Sequence, residues 1–347
     1  MEKDRKNNDL LLAGQKGVAV VPLPYDDLAR QIGITEKEVL ACLNHFQHQG
    51  LIRDISARFD LHRAGFESVL IGATYPANKV NSAARKISRH PGVSHNYLRK
   101  HELNLWFTLA LPRNSRLGVD GTARYFQEKT HPKRLMILPA EKSYKSTVCL
   151  DPFEKIIESC NSSYLAFDPP SPVKLSETDI STIRSLQESF PICSRPFAHL
   201  AAKAGLSEEV LLERTNNLLQ QKVLRRIGIV LDHYAAGFCS NAMICWRVET
   251  TRIDTVAGIF CACQRVSHCY IRPVYPDWPY NLYTMLHARY RHEAEVLIAD
   301  LARRSAVSDY QVLYSTRQYK KERIHLFSPR FEQWESAIPL PESSVDN

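Results

Sequence analysis

No two cysteines in this chain are spaced C-x-x-C, although it holds 9 of them in 347 residues. Structural zinc sites and thioredoxin-like redox centres use that spacing, so both are disfavoured. The odd count argues against a closed disulfide framework, and buried free thiols are the expected state, including Cys261 and Cys263 in an apolar helix-like stretch. No apolar run approaches the ~20 residues needed to cross a bilayer. The N-terminal MEKDRKNNDLLLAGQKG is charged and then only briefly apolar, without the h-region of a signal peptide, so a cytoplasmic protein is expected. No Gly-rich phosphate loop and no pyridoxal-type lysine motif is visible, and no dissociable organic cofactor is expected.

What the chain does have is positive charge. Lys and Arg number 45 against 37 Asp and Glu, a formal net charge of +8. Such a balance suits an acidic partner, either nucleic acid or a small polyanion. Hydrophobic residues at 44% and charged residues at 24% are ordinary for a globular protein. The length allows two or more domains with sizeable cores.

The chain also repeats itself. The segment from Tyr25, YDDLARQIGITEKEVLACLNHFQHQGLIRDI, aligns without a gap on that from Phe197, FAHLAAKAGLSEEVLLERTNNLLQQKVLRRI. VSHNYLR (Val93 to Arg99) answers VSHCYIR (Val266 to Arg272), and LPAEKSYK (Leu138 to Lys145) answers LYSTRQYK (Leu313 to Lys320). A duplication on this scale implies two copies of one domain type associated as a built-in pseudo-dimer.

Each copy opens with a short three-helix unit. Thr35 and Ser207 read as N-caps, followed by apolar residues at helical spacing: Val39, Leu40, Leu43 and Phe46, then Val210, Leu211, Leu218 and Leu219. A hairpin is expected next, its first strand at Leu51–Ile55 or Val223–Ile227, which makes a winged helix-turn-helix. A β-α-β-β-α-β series follows in each copy, the order of a ferredoxin-like domain. The expected fold class is α+β, a tandem duplication of a winged helix-turn-helix plus a ferredoxin-like domain. The expected boundaries are 1–60 and 61–153 for copy 1, a linker at 154–175, 176–232 and 233–330 for copy 2, and a tail at 331–347. Asp168-Pro169-Pro170-Ser171-Pro172 should run as an extended spacer, and residues from Pro339 should be disordered.

A winged helix followed by a ferredoxin-like domain resembles the Lrp/AsnC transcription regulators. The candidate reading helices, TEKEVLACLNHFQHQ and SEEVLLERTNNLLQQ, carry more acid than base. That opposes phosphate contact, so duplex DNA is a disfavoured partner, with Arg225 and Arg226 in the second wing as the exception. The basic residues gather instead in the ferredoxin-like units, which favours a small acidic ligand.

HPGVSHNYLRKHELNLWFTLALP in copy 1 and RVSHCYIRPVYPDWPYNLYTMLH in copy 2 resemble the siroheme decarboxylases, paired proteins of Lrp/AsnC-like fold. RRIGIVLDHYAAGFCSNAMICWRV is similar to that family too, and the two-copy layout resembles its naturally fused D–L form. The resemblance covers about residues 20–150 and 175–325. It implies a carboxy-lyase that removes the C12 and C18 acetate carboxyl groups of siroheme, giving 12,18-didecarboxysiroheme, in heme d1 or alternative heme biosynthesis. Siroheme is then the partner molecule, with further homodimerisation and other heme d1 biosynthesis proteins as candidate associations and no membrane partner. The alternative is a tetrapyrrole-responsive regulator of Lrp/AsnC type, and a third reading is a tetrapyrrole carrier without chemistry.

The residues suit that reaction. Arg99 and Arg272 are expected to hold carboxylates bidentately, with Lys145, Arg317 and Lys320 adding charge. Tyr97, Trp106, Tyr270, Tyr275, Trp278 and Tyr280 offer flat faces and edge donors for a macrocycle. Asn104 and Asn281 occupy equivalent positions as substrate contacts or loop caps. His95, with His101 or His268 assisting, is the expected proton donor. A histidine could instead ligate the siroheme iron, and the sequence leaves both roles open; no protein-held metal is expected. Copy 2 lacks a counterpart of His101 and carries a four-residue insertion, Tyr275-Pro276-Asp277-Trp278.

Overall fold

The computed structural model describes residues 2–146 and 170–338. Copy 1 begins with helices α1 (Glu2–Lys16), α2 (Pro24–Ile32) and α3 (Glu36–His48), then strand β1 (Ile52–Phe59). Next come β2 (Phe66–Thr74), α4 (Ala77–Ser88), β3 (Val93–Arg99), β4 (Leu105–Pro112), α5 (Gly118–Thr130), β5 (Arg134–Pro139) and β6 (Lys142–Ser146). Copy 2 runs α6 (Glu177–Leu186), α7 (Pro196–Ala204), α8 (Glu208–Gln220) and β7 (Leu224–Leu231). It continues with β8 (Ser240–Trp246), α9 (Ile253–Ala262), β9 (Val266–Ile271), β10 (Leu282–Ala288), α10 (Arg291–Ser305), β11 (Tyr310–Lys321) and a last helix, α11 (Arg330–Ser336).

The helix starts follow local chemistry. Thr35 accepts from the backbone N–H of Glu38 while the Glu38 carboxylate accepts from that of Thr35, a capping box. Ser176 and Asp179 do the same at α6, and Ser207 caps α8. Gly33 and Gly205 close α2 and α7 at φ 70° and 66°, the left-handed conformation that glycine adopts without a Cβ clash.

The chain divides into two compact units. One holds residues 1–64 and 140–315, the other residues 65–139 and 316–347. In the first unit the two helix-turn-helix copies meet through their wings. The hairpin expected within each copy is not made: β1 pairs antiparallel with β7, from Ile52 opposite Leu231 to Phe59 opposite Leu224. Each strand's inward residues are thereby buried against its counterpart. Helix α1 crosses this ribbon so closely that a Cβ on Gly14 would lie 2.3 Å from Ile229 Cδ1.

The same unit contains the copy 2 sheet, in the order β11 (residues 310–315), β8, β10, β9, β6. Its first four strands have ferredoxin-like order. The fifth, β6, comes from the end of copy 1 and closes the free edge of β9, with Ser143 opposite Tyr270 and Ser146 opposite His268. The second unit repeats the arrangement: β5, β2, β4 and β3 form the copy 1 sheet, and residues 316–321 of β11 add to the edge of β3. Each copy's sheet is completed by the last strand of the other.

The exchanged strands are fastened alike. Lys145 Nζ donates to the carbonyls of Cys261 and Cys263 at 2.9 and 3.0 Å, and Lys320 Nζ to those of Ser88 and His90 at 2.9 and 3.3 Å. These are carbonyls at or just beyond the ends of α9 and α4, which a helix leaves without intrahelical donors. Tyr144 and Lys142 reach Asp254, and Tyr319 and Arg317 reach Asn81.

In the second unit α11 packs on the copy 1 domain. Phe331 meets Phe66, and Trp334 meets His90 and Tyr125. The segment assigned to the tail therefore opens with a helix, while residues 339–347 lie outside the described residues, as does most of the expected linker. Among the described cysteines Cys245, Cys261 and Cys269 are buried free thiols, whereas Cys239 is exposed. No helix of the described residues is long and apolar enough to cross a membrane.

Candidate active site

Strand alternation puts His268, Tyr270 and, just past the strand, Arg272 on one face of β9. The helix-covered core takes the other face: Cys269 packs there with Trp246, Phe260 and Leu282. Opposite Tyr270 on β10 stands Tyr283, and opposite His268 stands Met285. The Arg272 guanidinium lies 5.2 Å from the Tyr270 ring centre and 5.7 Å from that of Tyr283. Such contacts steady a planar cation whose fork of N–H donors suits a bidentate anion.

His268 is surrounded by positive charge. Burial, then Arg272, Arg225, Arg58 and Lys145, lower its pKa to about 4, so the ring is neutral at neutral pH. Arg225 is anchored by the Asp60 carboxylate at 2.7 Å and donates to Ser146 Oγ at 3.1 Å, the residue opposite His268 on β6. Arg58 comes from β1 and Arg225 from β7, so the wing ribbon supplies two of the cations. Burial also lowers the pKa of Arg272. Cations gathered this closely repel one another and gain from an anion that enters among them.

A hydrogen-bonded string runs behind His268. Its Nδ1 is 2.7 Å from Ser267 Oγ, which is 2.8 Å from His287 Nε2 and 3.3 Å from the Met285 carbonyl. His287 Nδ1 is 2.5 Å from Asn241 Oδ1.

The equivalent strand of the second unit carries His95, Tyr97 and Arg99. His95 is exposed, its ring 6.2 Å from that of Tyr97 and its Nδ1 2.9 Å from Ser94 Oγ. Ser94 Oγ in turn lies 2.6 Å from Thr108 Oγ1. Arg99 is buried, 5.8 Å from the Tyr97 ring centre. His101 is half-buried, its Nδ1 accepts from the Leu103 N–H at 3.0 Å, and burial lowers its pKa. With Nδ1 accepting, the proton of a neutral His101 sits on Nε2.

Other expected contacts have their polar groups engaged inside the fold. Trp106 is buried with its indole N–H donated to the Leu103 carbonyl at 2.7 Å, and Gly72 makes room for its ring. Trp278 is buried beside Tyr280 and donates to the Tyr283 hydroxyl at 2.7 Å. Tyr275 and Trp278 bridge each other across the copy 2 insertion. Asn104 uses both amide atoms on the backbone of Tyr75, and Asn281 does the same with Val248. Lys145, Arg317 and Lys320 serve the exchanged strands, with Lys145 also within electrostatic reach of His268. Sequence reasoning passed over Arg58, Ser267 and Tyr283, and met Arg225 only as a DNA-wing residue. The signal for Arg58 was its counterpart: carried three residues past Ile55 and Ile227, the alignment sets it against the apolar Val230.

The helices that would read DNA begin with Glu36 and Glu38 in one copy and Glu208 and Glu209 in the other. Reading residues sit at that end of a recognition helix, and the exposed Glu38 and Glu209 carboxylates there repel phosphate.

Fold and site together define a tandem protein of AsnC-like ligand-binding domains with helix-turn-helix units. Accordingly, a profile described as the AsnC-like ligand binding domain matches residues 63–145 and 235–320. A second, the siroheme decarboxylase NirDL-like HTH domain, matches residues 7–53 and 179–225. The chain is similar to a siroheme decarboxylase of Hydrogenobacter thermophilus, with 36% identity over 92% of this chain and 94% of the relative. It is 27% identical to a siroheme decarboxylase NirDL subunit of Paracoccus denitrificans over 92% and 97% of the two chains. The crystal structure of the siroheme decarboxylase NirDL in co-complex with an iron-uroporphyrin III analogue superposes with a TM-score of 0.75 and 31% identity, covering 95% of this chain and 97% of that one. This chain belongs to the siroheme decarboxylase family.

Proposed function

We propose that this protein is the carboxy-lyase that converts siroheme to 12,18-didecarboxysiroheme by removing the C12 and C18 acetate carboxyl groups, in heme d1 or alternative heme biosynthesis in the cytoplasm. The observation that carries the reading is the set of cations around His268 on a tyrosine-lined sheet face. An apolar, planar molecule rimmed with carboxylates fits both features.

Arg272, Arg225 and Arg58 hold carboxylates of the macrocycle, with Tyr270 beneath its plane and Tyr283 supporting the Arg272 guanidinium from within the fold. In the other copy Arg99 and Tyr97 do the same work. Cleavage of the C–C bond to an acetate carboxylate releases carbon dioxide and leaves its electron pair on the methylene carbon, where the conjugated ring spreads it. One proton then completes each methyl group. His95 and His268 are the donors, with His101, in the loop after β3, assisting the first. The reaction consumes one proton per carbon dioxide and calls for no dissociable cofactor. The iron belongs to the substrate.

The test is anaerobic incubation with siroheme, followed by mass spectrometry of the tetrapyrrole. Loss of two carbon dioxide units is expected. Tight binding with unchanged mass would overturn the enzyme reading in favour of a carrier or a tetrapyrrole-responsive regulator, which salt-dependent duplex binding would then separate.

A further inference from the structure

The two copies differ behind their histidines. In copy 2 the string Asn241–His287–Ser267–His268 has spacings of 2.5, 2.8 and 2.7 Å. The residues of copy 1 at the positions of His287 and Asn241 are Ala110 and Ser68, which face each other across β2 and β4 as His287 and Asn241 do across β8 and β10. There Ser94 ends on Thr108. The decarboxylation does not require this asymmetry, and none of the roles assigned above uses His287.

Resting on the decarboxylase reading, we infer that His287 is the proton store for His268, joined to it through the Ser267 hydroxyl. In the loaded state His287 carries two N–H groups. Nδ1–H donates to Asn241 Oδ1 and Nε2–H to Ser267 Oγ, while Ser267 O–H donates to His268 Nδ1. His268 Nε2–H then points outward. When the methylene carbanion forms, the His268 Nε2 proton moves to carbon. The Ser267 proton moves to His268 Nδ1, and the His287 Nε2 proton moves to Ser267 Oγ. One proton leaves and one positive charge disappears from His287, which reloads from solvent. His268 is neutral before and after.

This arrangement answers a physical difficulty. A histidine that must first become an imidazolium would do so beside Arg272, Arg225, Arg58 and Lys145, all of which oppose it. The relay moves the stored charge to the far side of Ser267. On the strand ends around His287, Arg265 pairs with Glu293 at 3.0 Å, the Arg289 N–H is bonded to Glu293, and both guanidiniums lie over the Phe238 ring. The Arg265 carbonyl also accepts the His287 backbone N–H at 2.9 Å. The Ser267 contact to the Met285 carbonyl, longer at 3.3 Å, is the alternative resting place for the hydroxyl proton.

His287 is a positioning residue here, remote from the substrate, and its test needs more than loss of activity. The full-length His287→Gln and Ser267→Ala variants are compared with the unsubstituted protein in anaerobic single turnovers with siroheme, in mixtures of light and heavy water. Glutamine keeps hydrogen-bonding atoms but cannot store a proton. The expected result is a rate lowered about 10–100-fold in both variants, with siroheme affinity within about twofold of the original. The dependence of rate on deuterium content should be curved in the unsubstituted protein, where several protons move together, and linear in the variants. His287→Gln turning over at the original rate would overturn the relay, as would affinity falling in step with rate. Unchanged tetrapyrrole mass in the unsubstituted protein would overturn the decarboxylase reading itself, and the relay with it.

Discussion

The unit that holds His268 and the unit that holds His95 present the same His-x-Tyr-x-Arg strand in opposite settings. His268 is sunk among four cations and backed by a second histidine, whereas His95 is exposed and backed by Ser94 and Thr108. The strands are nearly identical in sequence, so the difference comes from what is brought to them. The wing ribbon brings Arg58 and Arg225 to the first, and in the sequence repeat Arg58 has the apolar Val230 as its counterpart. A duplicated chain is free to specialise one copy for gripping a polyanion while the other keeps an open histidine. Two successive decarboxylations of one substrate give such specialisation a use.

The sharpest way to break this comparison is to remove the histidines one at a time. His268→Ala and His95→Ala are each expected to slow the step they serve by about 10²–10⁴-fold. If each copy removes one acetate, mass spectrometry will show both variants accumulating a tetrapyrrole that has lost a single carbon dioxide. If one pocket performs both steps, one variant will leave siroheme intact while the other completes the reaction. A smaller effect is expected from Arg58→Val, which gives β1 the residue that β7 carries at the matching position. Loss of one charge-assisted contact should weaken siroheme binding by about 10-fold, measured by absorbance titration.

The duplication, the ferredoxin-like order and the helix caps were legible because they rest on local signals. Thr35 with Glu38 is a capping box in sequence before it is one in space. The partner of each wing strand was not legible. Alternation tells which face of β1 is buried, but its hydrogen-bonding partner lies about as far away as the repeat is long, and a local hairpin satisfies the same pattern. The exchange of β6 and the end of β11 escaped for the same reason, although the matching Tyr144–Lys145 and Tyr319–Lys320 pairs were visible. In the site, residue type was a good guide to Arg272 and Tyr270. It said less about Trp106 and Trp278, because only burial shows where an indole N–H is donated.

Each unit also contains a histidine held neutral in the folded state, which makes the comparison testable through stability. His90 is buried against Phe126 and Trp334, and burial lowers its pKa to about 3; that of His268 is lowered to about 4. Unfolded, both titrate near ~6.5. Between these values the unfolded chain binds more protons than the folded one, so stability rises with pH through that window and is lost as pH falls through it. At about pH 5 each histidine should cost up to about 2 kcal/mol relative to neutral pH, less for the half-buried His268. Denaturant unfolding of His90→Gln should show a flatter pH dependence from the second unit alone, while siroheme binding by the first unit's pocket stays as it was.

The smallest expected effect concerns the exchanged strands. Lys145→Met and Lys320→Met keep most of the aliphatic stem but leave carbonyls at the ends of α9 and α4 without their ammonium partner. Each should lower stability by about 1–2 kcal/mol, read as a shift in the denaturation midpoint. Here the two units should part. Lys320 lies within electrostatic reach of the core residue His90, so its variant should bind siroheme normally while the His90 pKa rises. Lys145 also lies within electrostatic reach of His268, so its loss should raise the His268 pKa by removing a repelling charge, a change visible in the histidine ring resonances of a pH titration. An unchanged His268 titration in Lys145→Met would mean that the cation set around His268 ends at the three arginines.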